Sequence, residues 1–312
     1  MKVLFVCSGR RGDINSIILN QGESLRKAGM DLDYYMVPGR GMKSYMKSIK
    51  PLRAKIKEGN HDVIHAHYAF CAYLVNMAAM GLHKPLVVSL MGSDIWFHKW
   101  YPALVRTWSS MWGWKAIIVK SVEMRERVGI QRAEVIPNGV NMERFCEMDK
   151  VECQKKLGWD SAKKQVLLPA NPADPRKNSQ LAEKAIALLQ SDIEYHGMCG
   201  VPNEQTPTLY NAADVVVLPS LYEGSANAVK EAMACDAPLV TTDMGDCRER
   251  IDGVEGCYVA NTYEVEEFAD LLGKALEFGG KTKGRERLLA DGIADYQIAE
   301  RLMKIYQESI KV

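Results

Sequence analysis

Short runs of apolar and β-branched residues recur along the whole chain, and segments with a helical spacing of apolar positions separate them. In the first half the runs are KVLFVC (2–7), DVIHAH (62–67), LVVSLMGSD (86–94), AIIVKS (116–121) and EVIPNGV (134–140); in the second half they are QVLLPA (165–170), IEYHGMC (193–199), VVVL (215–218) and LVTT (239–242). Apolar runs without polar alternation are typical of parallel strands that helices cover on both faces. The pattern therefore predicts an α/β fold, and a length of 312 residues predicts two domains.

The stretch from 215 to 240 combines a buried strand, a polar loop and a helix. Val215–Leu218 is the predicted strand, and Ser225 or Asn227 is expected to cap the helix. The loop between them lies at the carboxyl edge of the predicted sheet, where open α/β folds bind ligands, and the helix N-terminus suits a phosphate. A sugar nucleotide would fit this arrangement, because its diphosphate would bind the helix N-terminus. Glu223 in the loop and Glu231 in the helix would then accept hydrogen bonds from its sugar and ribose hydroxyls. The alternative is that both glutamates are solvated helix residues.

The composition narrows the classes of function. Apolar residues make up 47% and charged residues 25% of the chain, which is ordinary for a globular protein, and the net charge of +1 predicts no general attraction to nucleic acid. No C-x-x-C pair occurs among the eight cysteines, so we expect reduced thiols in a cytoplasmic protein. The first apolar run is too short for a signal peptide, and no run approaches the length of a membrane span. We therefore expect a soluble or peripheral protein.

Residues 40–57 form a basic segment with apolar residues at helical spacing. The basic residues are Arg40, Lys43, Lys47, Lys50, Arg53, Lys55 and Lys57, and the apolar ones are Met42, Tyr45, Met46, Ile49, Leu52 and Ile56. We expect Pro51 to break this segment. Such a segment is able to lie on the anionic inner face of a membrane or to meet an anionic acceptor. The alternative is an ordinary surface helix packed on the sheet.

Two further groups of side chains are candidates for ligand contacts. His65 and His67 end a predicted strand, and we expect them to project to opposite faces and so not to form a metal-binding pair. We assign His65 a structural role. Five of the six tryptophans lie between residues 96 and 114, namely Trp96, Trp100, Trp108, Trp112 and Trp114. Aromatic faces stack on sugar rings, so we expect some of them to line an acceptor site, whereas core packing is the alternative for most.

Five stretches together carry a family resemblance. In order and spacing, IPNGVNMERF (136–145), RKN (176–178), NAADVVVLPS (211–220), EGSANAVKEAMAC (223–235) and TTDMGDCRERI (241–251) resemble the group 1 family of retaining glycosyltransferases, which is glycosyltransferase family 4-like and carries a Glu-x7-Glu motif. The resemblance implies an α/β fold of the GT-B class, with two Rossmann-like domains facing each other across a deep cleft. Residues 1–147 would form the acceptor domain and 160–295 the nucleotide-sugar domain, with a linker at about 146–160. A final helix, about 296–312, would pack back on the first domain.

The resemblance also implies a donor site. Glu231 would accept hydrogen bonds from the ribose, and Lys177 would neutralise the diphosphate. The sugar hydroxyls would be held by Glu223 and by the backbone N–H groups of Gly224, Ser225, Ala226 and Asn227. Gly9 and Gly12 would let the first loop approach the phosphates, although a plain tight turn is the alternative. Many relatives have an arginine at the position of Asn171. Arg176 would be able to replace that arginine because its long side chain could reach the same phosphates.

The acceptor side departs from the family pattern. Many relatives have a histidine at the position of Met91, and it contacts the donor sugar near the reacting carbon. Either Asp94, His67 or His98 would take over this polar role, or no residue is needed for it. We count Asp94 with Glu223 and Lys177 as candidate catalytic residues. The acceptor side would also include Trp96.

The predicted function is metal-independent transfer of a hexose-type sugar from a UDP- or GDP-sugar to a glycan or lipid-linked acceptor, in polysaccharide or glycolipid biosynthesis. No cofactor is expected, and no Asp-x-Asp metal motif stands at a strand end, since Asp31-Leu32-Asp33 is expected to be a loop before a strand. The alternatives are a non-catalytic sugar-nucleotide-binding partner subunit and a nucleotide-sugar epimerase of the same fold. The sequence identifies neither the base, the sugar nor the acceptor.

Overall fold

The computed structural model describes residues 1–9, 12–39, 41–96 and 98–311 of the chain. The chain divides into two compact units, Met1–Gly139 with Asp295–Val312, and Val140–Ala294. This division differs from the sequence-based bounds, because the second unit begins before residue 147 and the predicted linker contains a helix, Lys150–Leu157. The sequence carries the signals of that helix. The Asp149 carboxylate accepts from Glu152 N at 2.8 Å, and Gly158 ends the helix with φ +72°.

The first unit contains a six-stranded parallel sheet in the order β2-β1-β3-β4-β5-β6. Its strands are β1 (Lys2–Gly9), β2 (Asp31–Pro38), β3 (Val63–His67), β4 (Leu86–Ser89), β5 (Ala116–Val119) and β6 (Glu134–Val135). Its helices are α1 (Ser16–Lys27), α2 (Met42–Glu58), α3 (Ala69–Ala78), α4 (Ser93–Trp96), α5 (Tyr101–Met111) and α6 (Val122–Val128).

The second unit contains a five-stranded parallel sheet in the order β11-β10-β9-β7-β8. Its helices are α7 (Lys150–Leu157), α8 (Ser179–Leu188), α9 (Thr206–Ala212), α10 (Asn227–Ala234), α11 (Cys247–Ile251), α12 (Val265–Phe278) and α13 (Gly284–Ala290). Its strands are β7 (Lys164–Leu168), β8 (Ile193–Gly197), β9 (Val215–Leu218), β10 (Leu239–Thr242) and β11 (Cys257–Ala260), and short 3-10 turns occupy Pro175–Lys177 and Asn203–Gln205. The last helix of the chain, α14 (Asp295–Ile310), belongs to the first unit.

Both sheets are buried on both faces, which explains their continuous apolar strands. In β1, Leu4 and Val6 pack with residues of α2 and α3, while Val3, Phe5 and Cys7 pack with residues of α1 and α14. The central strand β9 of the second unit behaves in the same way, since alternate residues join the clusters that contain α9 and α10 on one face and α8 and α12 on the other. Helix α14 contributes Ile298, Ala299, Leu302, Ile305 and Tyr306 to the first sheet.

Two local predictions are wrong. Asp31 and Asp33 lie inside β2, because this edge strand pairs with β1 from Lys2 onward, so they do not form a loop. Pro51 does not break the basic segment, and α2 runs from Met42 to Glu58. Proline removes one backbone donor from a helix. Burial of Leu52 and Ile56 on the sheet, at 0% and 1% exposure, compensates for that loss.

None of the described helices combines the length and apolarity needed to cross a membrane. All eight cysteines are free thiols, and six of them are buried. Arg40, which begins the predicted basic segment, lies outside the described residues.

Candidate active site

The loop between β9 and α10 is fixed to the neighbouring strand and to the turn that follows it. The Thr242 hydroxyl at the end of β10 donates to the Ser220 carbonyl at 2.6 Å. Gly245 lies against the loop so closely that a Cβ atom on it would stand 2.7 Å from the Glu223 carbonyl oxygen and 2.9 Å from that of Gly224. Gly245 also has φ +55°, a conformation that favours glycine. The loop therefore needs a glycine at position 245, which the sequence analysis did not single out.

Lys177 and Glu223 form an ion pair at the carboxyl edge of the second sheet. Lys177 ends the 3-10 turn that follows β7, and the side chains are only partly exposed, at 21% for Lys177 and 23% for Glu223. The Leu221 N–H donates to the Arg176 carbonyl at 2.9 Å, which ties the two loops together. The structure thus brings together two of the three candidate catalytic residues.

Arg176 is engaged locally. Its Nη2 and Nε donate to the two carboxylate oxygens of Asp174 at 2.6 and 3.1 Å, and this pairing lowers the pKa of Asp174. Asn171 accepts from the Ala173 N–H at 3.0 Å and so closes a turn. The position where relatives carry an arginine therefore holds a turn-forming amide here, and the guanidinium of Arg176 reaches Asp174 instead.

Glu231 lies in α10 and accepts a hydrogen bond from the Tyr210 hydroxyl at 2.8 Å. Tyr210 is 1% exposed and belongs to α9, whereas Glu231 is half-buried. Burial raises the pKa of Glu231, and the bond from Tyr210 opposes that rise. Sequence reasoning missed Tyr210. Its only signal was its position just before NAADVVVLPS (211–220), which says nothing of a hydroxyl directed at Glu231.

Neither Ser225 nor Asn227 caps α10. The N-cap residue is Ala226, and no side-chain hydrogen bond caps the helix in this part of the described chain. The Ser225 hydroxyl is drawn away because it donates to Asp246 Oδ2 at 2.9 Å. Gly224, Ser225, Ala226 and Asn227 thus lead into a helix whose first N–H groups have no side-chain cap, as a helix N-terminus that binds an anion requires.

In the first unit, Gly9 ends β1 and is hydrogen-bonded to Gly12. The Gly12 N–H donates to the Gly9 carbonyl at 3.2 Å, and Gly12 has φ +91°. A Cβ on Gly9 would stand 2.5 Å from the Met36 side chain. These contacts account for both glycines as turn and packing residues, while Arg10 and Arg11 between them lie outside the described residues.

Asp94 holds a turn together. Its carboxylate accepts from the N–H groups of Met91, Gly92 and Ala69, each at 2.9 Å, and the residue is 1% exposed. Burial raises the pKa of Asp94 to about 6, while these backbone bonds oppose the rise. Both carboxylate oxygens serve to join the turn after β4 to the start of α3, which is a structural role for this candidate catalytic residue.

The prediction that His65 and His67 project to opposite faces is wrong. Their rings stack with centroids 4.2 Å apart, because residues i and i+2 of a strand share a face. His65 bonds the Tyr306 hydroxyl at 2.6 Å and the Ser89 hydroxyl at 2.8 Å, which is a structural role. His67 is 2% exposed, burial lowers its pKa to about 3, and it is therefore neutral at neutral pH. Among the described residues, no group of three His, Cys, Asp or Glu is placed to hold a metal.

The five tryptophans between residues 96 and 114 differ in their exposure to solvent. Trp114 is 1% exposed, Trp108 and Trp112 stack with centroids 5.9 Å apart, and Arg127 covers the Trp96 ring at 4.1 Å. Trp100 is 56% exposed and stacks with His98 at 5.8 Å. Of the candidate acceptor residues, His98 therefore lies on an exposed aromatic surface with Trp100, whereas Trp96 is covered.

A cavity of about 520 Å³ lies away from the Glu223 loop, beside the residues that precede β11. Its lining residues include Glu255, Lys281, Lys283, Glu286 and Arg287. The Arg287 guanidinium bonds Asp291 at 3.1 Å, and Lys281 Nζ bonds Asn211 at 3.3 Å. Two of its cations are thus engaged in holding the fold.

Comparison with known families identifies the chain. Residues 31–144 match the model "Glycosyltransferase Family 4", and residues 165–277 match the model "Glycosyl transferases group 1". The chain contains a glycosyltransferase family 4 domain followed by a group 1 glycosyltransferase domain. These matches confirm the family that the sequence predicts, and the similarity of the chain to solved structures along almost its whole length confirms the GT-B fold class.

Several known proteins are similar to this group 1 glycosyltransferase. TuaC of Bacillus subtilis (strain 168), named for teichuronic acid biosynthesis, is 29% identical over 59% of this chain and 54% of its own length. An Escherichia coli UDP-Gal:alpha-D-GlcNAc-diphosphoundecaprenol alpha-1,3-galactosyltransferase is 24% identical over 70% of this chain and 65% of its own. Anabaena HepE, solved with UDP-glucose, superposes with a TM-score of 0.73 at 16% identity, covering 98% of this chain and 99% of that one. The chain spans about half the length of TuaC.

Proposed function

We propose that this group 1 glycosyltransferase transfers a hexose-type sugar from a UDP- or GDP-sugar with retention of the anomeric configuration. The observation that carries the proposal is the constellation at the carboxyl edge of the second sheet. Lys177 and Glu223 are paired there, and Glu231 stands in the helix that begins at the same loop. A cation, two carboxylates and an uncapped helix N-terminus match the phosphates and hydroxyls of a sugar nucleotide.

The ion pair gives the site a way to respond to the donor. Without a ligand, Lys177 Nζ is bonded to Glu223. A diphosphate brings more negative charge than one carboxylate, so Lys177 would turn to the phosphate and release Glu223 to accept from a sugar hydroxyl. Lys177 and the N-terminus of α10 would together stabilise the charge that develops on the leaving diphosphate, so that a metal ion is not required.

The proposed reaction takes place on one face of the sugar. The acceptor hydroxyl oxygen forms the new bond to the anomeric carbon while the bond to the diphosphate oxygen breaks, and the diphosphate leaves with the bonding electrons. The acceptor proton passes to a phosphate oxygen of the donor. Attack from the face of departure retains the configuration. Glu223 contributes by holding the sugar, and Lys177 by stabilising the leaving group.

We propose a glycan or lipid-linked acceptor, used in cell-surface polysaccharide or glycolipid synthesis. TuaC is named for teichuronic acid biosynthesis, and the similar E. coli enzyme is named for a diphosphoundecaprenol acceptor. His98 and Trp100 are exposed in the first unit, and an aromatic surface of this kind suits a sugar ring.

Thermal unfolding with a panel of UDP-, GDP- and ADP-sugars tests the donor site. We expect one base class to raise the melting temperature of the wild type by mass action, and Glu231→Gln to lose most of that shift. The variant keeps an acceptor for Tyr210 but lacks the charge that would bind the ribose. Its stability without ligand should not fall at neutral pH. The raised pKa of Glu231 means that the folded wild type disfavours the ionised carboxylate. Glu231 therefore destabilises the wild type increasingly as pH rises through the folded-state pKa, and glutamine lacks this effect.

A control variant separates loss of binding from loss of fold. Glu183→Gln changes an exposed glutamate of α8 and should keep the full ligand shift. Equal shifts in the wild type and Glu231→Gln would remove Glu231 from the donor site. Absence of any shift across the panel at millimolar levels would count against binding of UDP-, GDP- and ADP-sugars.

We also propose that α2 makes peripheral contact with an anionic membrane, placing the protein at the inner face of the cytoplasmic membrane. The apolar side of α2 packs on the sheet, as the surface-helix alternative expected. Two methionines nevertheless remain outside, Met42 at 60% and Met46 at 62% exposure, beside the exposed Lys43, Lys47 and Lys50. Exposed apolar side chains with lysines around them suit a lipid surface.

Vesicle flotation tests this contact. We expect the wild type to float with vesicles of phosphatidylcholine and phosphatidylglycerol at low salt, and Lys43→Glu/Lys47→Glu to bind more than tenfold more weakly, because each lysine near an anionic surface contributes about 1 kcal/mol. High salt should weaken the wild-type binding too. Lys155→Glu/Lys156→Glu, a charge reversal on exposed residues of α7, is the matched control. Binding that is the same for both variants would contradict a contact through α2.

A further inference from the structure

A lysine is buried directly behind the Glu223 loop. Lys230 lies in α10 with 1% exposure, and its Nζ donates to the Ser225 hydroxyl at 3.1 Å. Burial lowers the pKa of Lys230 to about 8, while Asp246 opposes that effect. An apolar residue at this helix position would avoid the cost of burying an ammonium group. We therefore expect that Lys230 has a function near the loop that offsets the cost of burying its ammonium group.

The Ser225 hydroxyl stands between two buried charges. It accepts from Lys230 and donates to Asp246 Oδ2 at 2.9 Å. Its single proton is thus used inside the protein, and it has none left to donate to a sugar. The Ser225 side chain is consequently better explained as a link between α10 and the turn after β10 than as a direct donor ligand.

Asp246 is itself held in place. It is 5% exposed, and Arg250 Nε donates to the same Oδ2 atom at 3.1 Å. Arg250 in turn bonds Asp291 at 2.9 Å, beyond α13. The Ser225 hydroxyl is therefore fixed from one side by α10 and from the other by an ion-pair network that reaches the rest of the second unit. Buried networks in which the members bond one another are rigid.

We propose that Lys230 is a positioning residue of the donor site: together with Asp246 it fixes the Ser225 hydroxyl, and through it the backbone of residues 223–227. This inference rests on the proposed function for the ligand, but the positioning itself is a property of the ligand-free protein. Displacement of that backbone would move Glu223 and the first N–H groups of α10 at once, and misplacements of about 1 Å are enough to reduce catalysis strongly.

Hydrogen exchange of the ligand-free protein tests the positioning. We expect amides of residues 221–231 to exchange about tenfold faster in Lys230→Met and in Ser225→Ala than in the wild type, because the link between α10 and the turn is lost in both. Ser225→Thr keeps the hydroxyl and should restore slow exchange. Lys184→Met, on an exposed position of α8, is the matched control and should leave the loop unchanged. Methionine fills the volume of the lysine stem, and Ser225→Ala removes no buried charge, so at least one variant retains the fold.

The pattern of exchange decides the outcome. Faster exchange confined to the loop supports positioning, whereas an equal rise in β9, β10 and the loop of both variants would show a role in overall stability only. Unchanged loop exchange in both variants would also overturn the inference. Calorimetric titration with UDP-glucose then separates the two proposals. If the wild type binds it, Lys230→Met should bind about tenfold more weakly; if the wild type does not bind it, the UDP donor proposal fails while the exchange result still decides the role of Lys230.

Discussion

Replacing Lys177 by alanine is expected to lower kcat/KM for the donor sugar about a thousandfold, with most of the loss in kcat. The proposed contribution of Lys177 is to the charge that develops on the diphosphate as it leaves, and donors aimed at developing charge are worth about 100- to 1,000-fold each in enzymes. The measurement is initial-rate kinetics of sugar release or transfer with the donor that the thermal panel identifies.

The loss should be functional and not a loss of fold. Lys177 and Glu223 are partly exposed, and ion pairs of this kind contribute about 0–1 kcal/mol to stability. The melting temperature of Lys177→Ala without ligand should therefore stay close to that of the wild type. A thousandfold loss accompanied by unfolding would contradict the expectation that the loss is functional. A loss of less than tenfold in a stable variant would contradict the role of Lys177 in stabilising the leaving diphosphate.

Arg176→Ala is the matched comparison for Lys177→Ala. Arg176 neighbours Lys177, but its guanidinium is bonded to Asp174, and its side chain is 52% exposed. We expect this variant to lose much less activity than Lys177→Ala. Equal losses would instead support the sequence-based hypothesis that Arg176 replaces the arginine that many relatives have at the position of Asn171.

The order of most strands and helices could be predicted because it depends on local signals, although β11 (Cys257–Ala260) and α7 (Lys150–Leu157) were not predicted. Strand β9 lies at Val215–Leu218, as its β-branched run indicated, and α10 follows the loop as expected. The end of the first unit could not be placed from local signals. Residues 140–147 follow the first sheet directly in the chain, yet their partners lie far along the chain in the second unit. The Val140 N–H donates to the Ile293 carbonyl at 3.1 Å, and the Arg285 guanidinium donates to the Phe145 carbonyl at 2.7 Å.

The site shows the same division between local and distant causes. Glu223, Glu231 and Lys177 were found because motif spacing records them, and two of these residues meet in the structure. The cap of α10 was misplaced because the preference of serine for an N-cap lost to a buried partner 21 residues away, Asp246. The contact between Tyr210 and Glu231 likewise depends on how α9 packs, which no spacing in the sequence encodes.

Gly245→Ala is expected to lower kcat/KM at least a hundredfold by moving the donor loop. The added Cβ would stand 2.7 Å from the Glu223 carbonyl oxygen, and because both neighbours are backbone atoms, the loop or the turn must shift to relieve the contact. A shift of that size at catalytic groups costs about 100-fold. The positive φ of Gly245 adds a strain of about 1–2 kcal/mol for a residue with a side chain, so a modest fall in melting temperature should accompany the loss.

Gly253→Ala separates the effect of backbone strain from the effect of the close contact with the Glu223 loop. Like Gly245, Gly253 has a positive φ, here +77°, but an added Cβ there would meet no neighbouring atom within 4 Å. We expect a similar small fall in melting temperature and wild-type kcat/KM. If both variants kept full activity, the close packing of Gly245 on the Glu223 loop would have no part in the reaction. If Gly245→Ala alone lost activity, the turn after β10 would be established as the support on which the donor loop is built, which is the side from which Asp246 also holds Ser225.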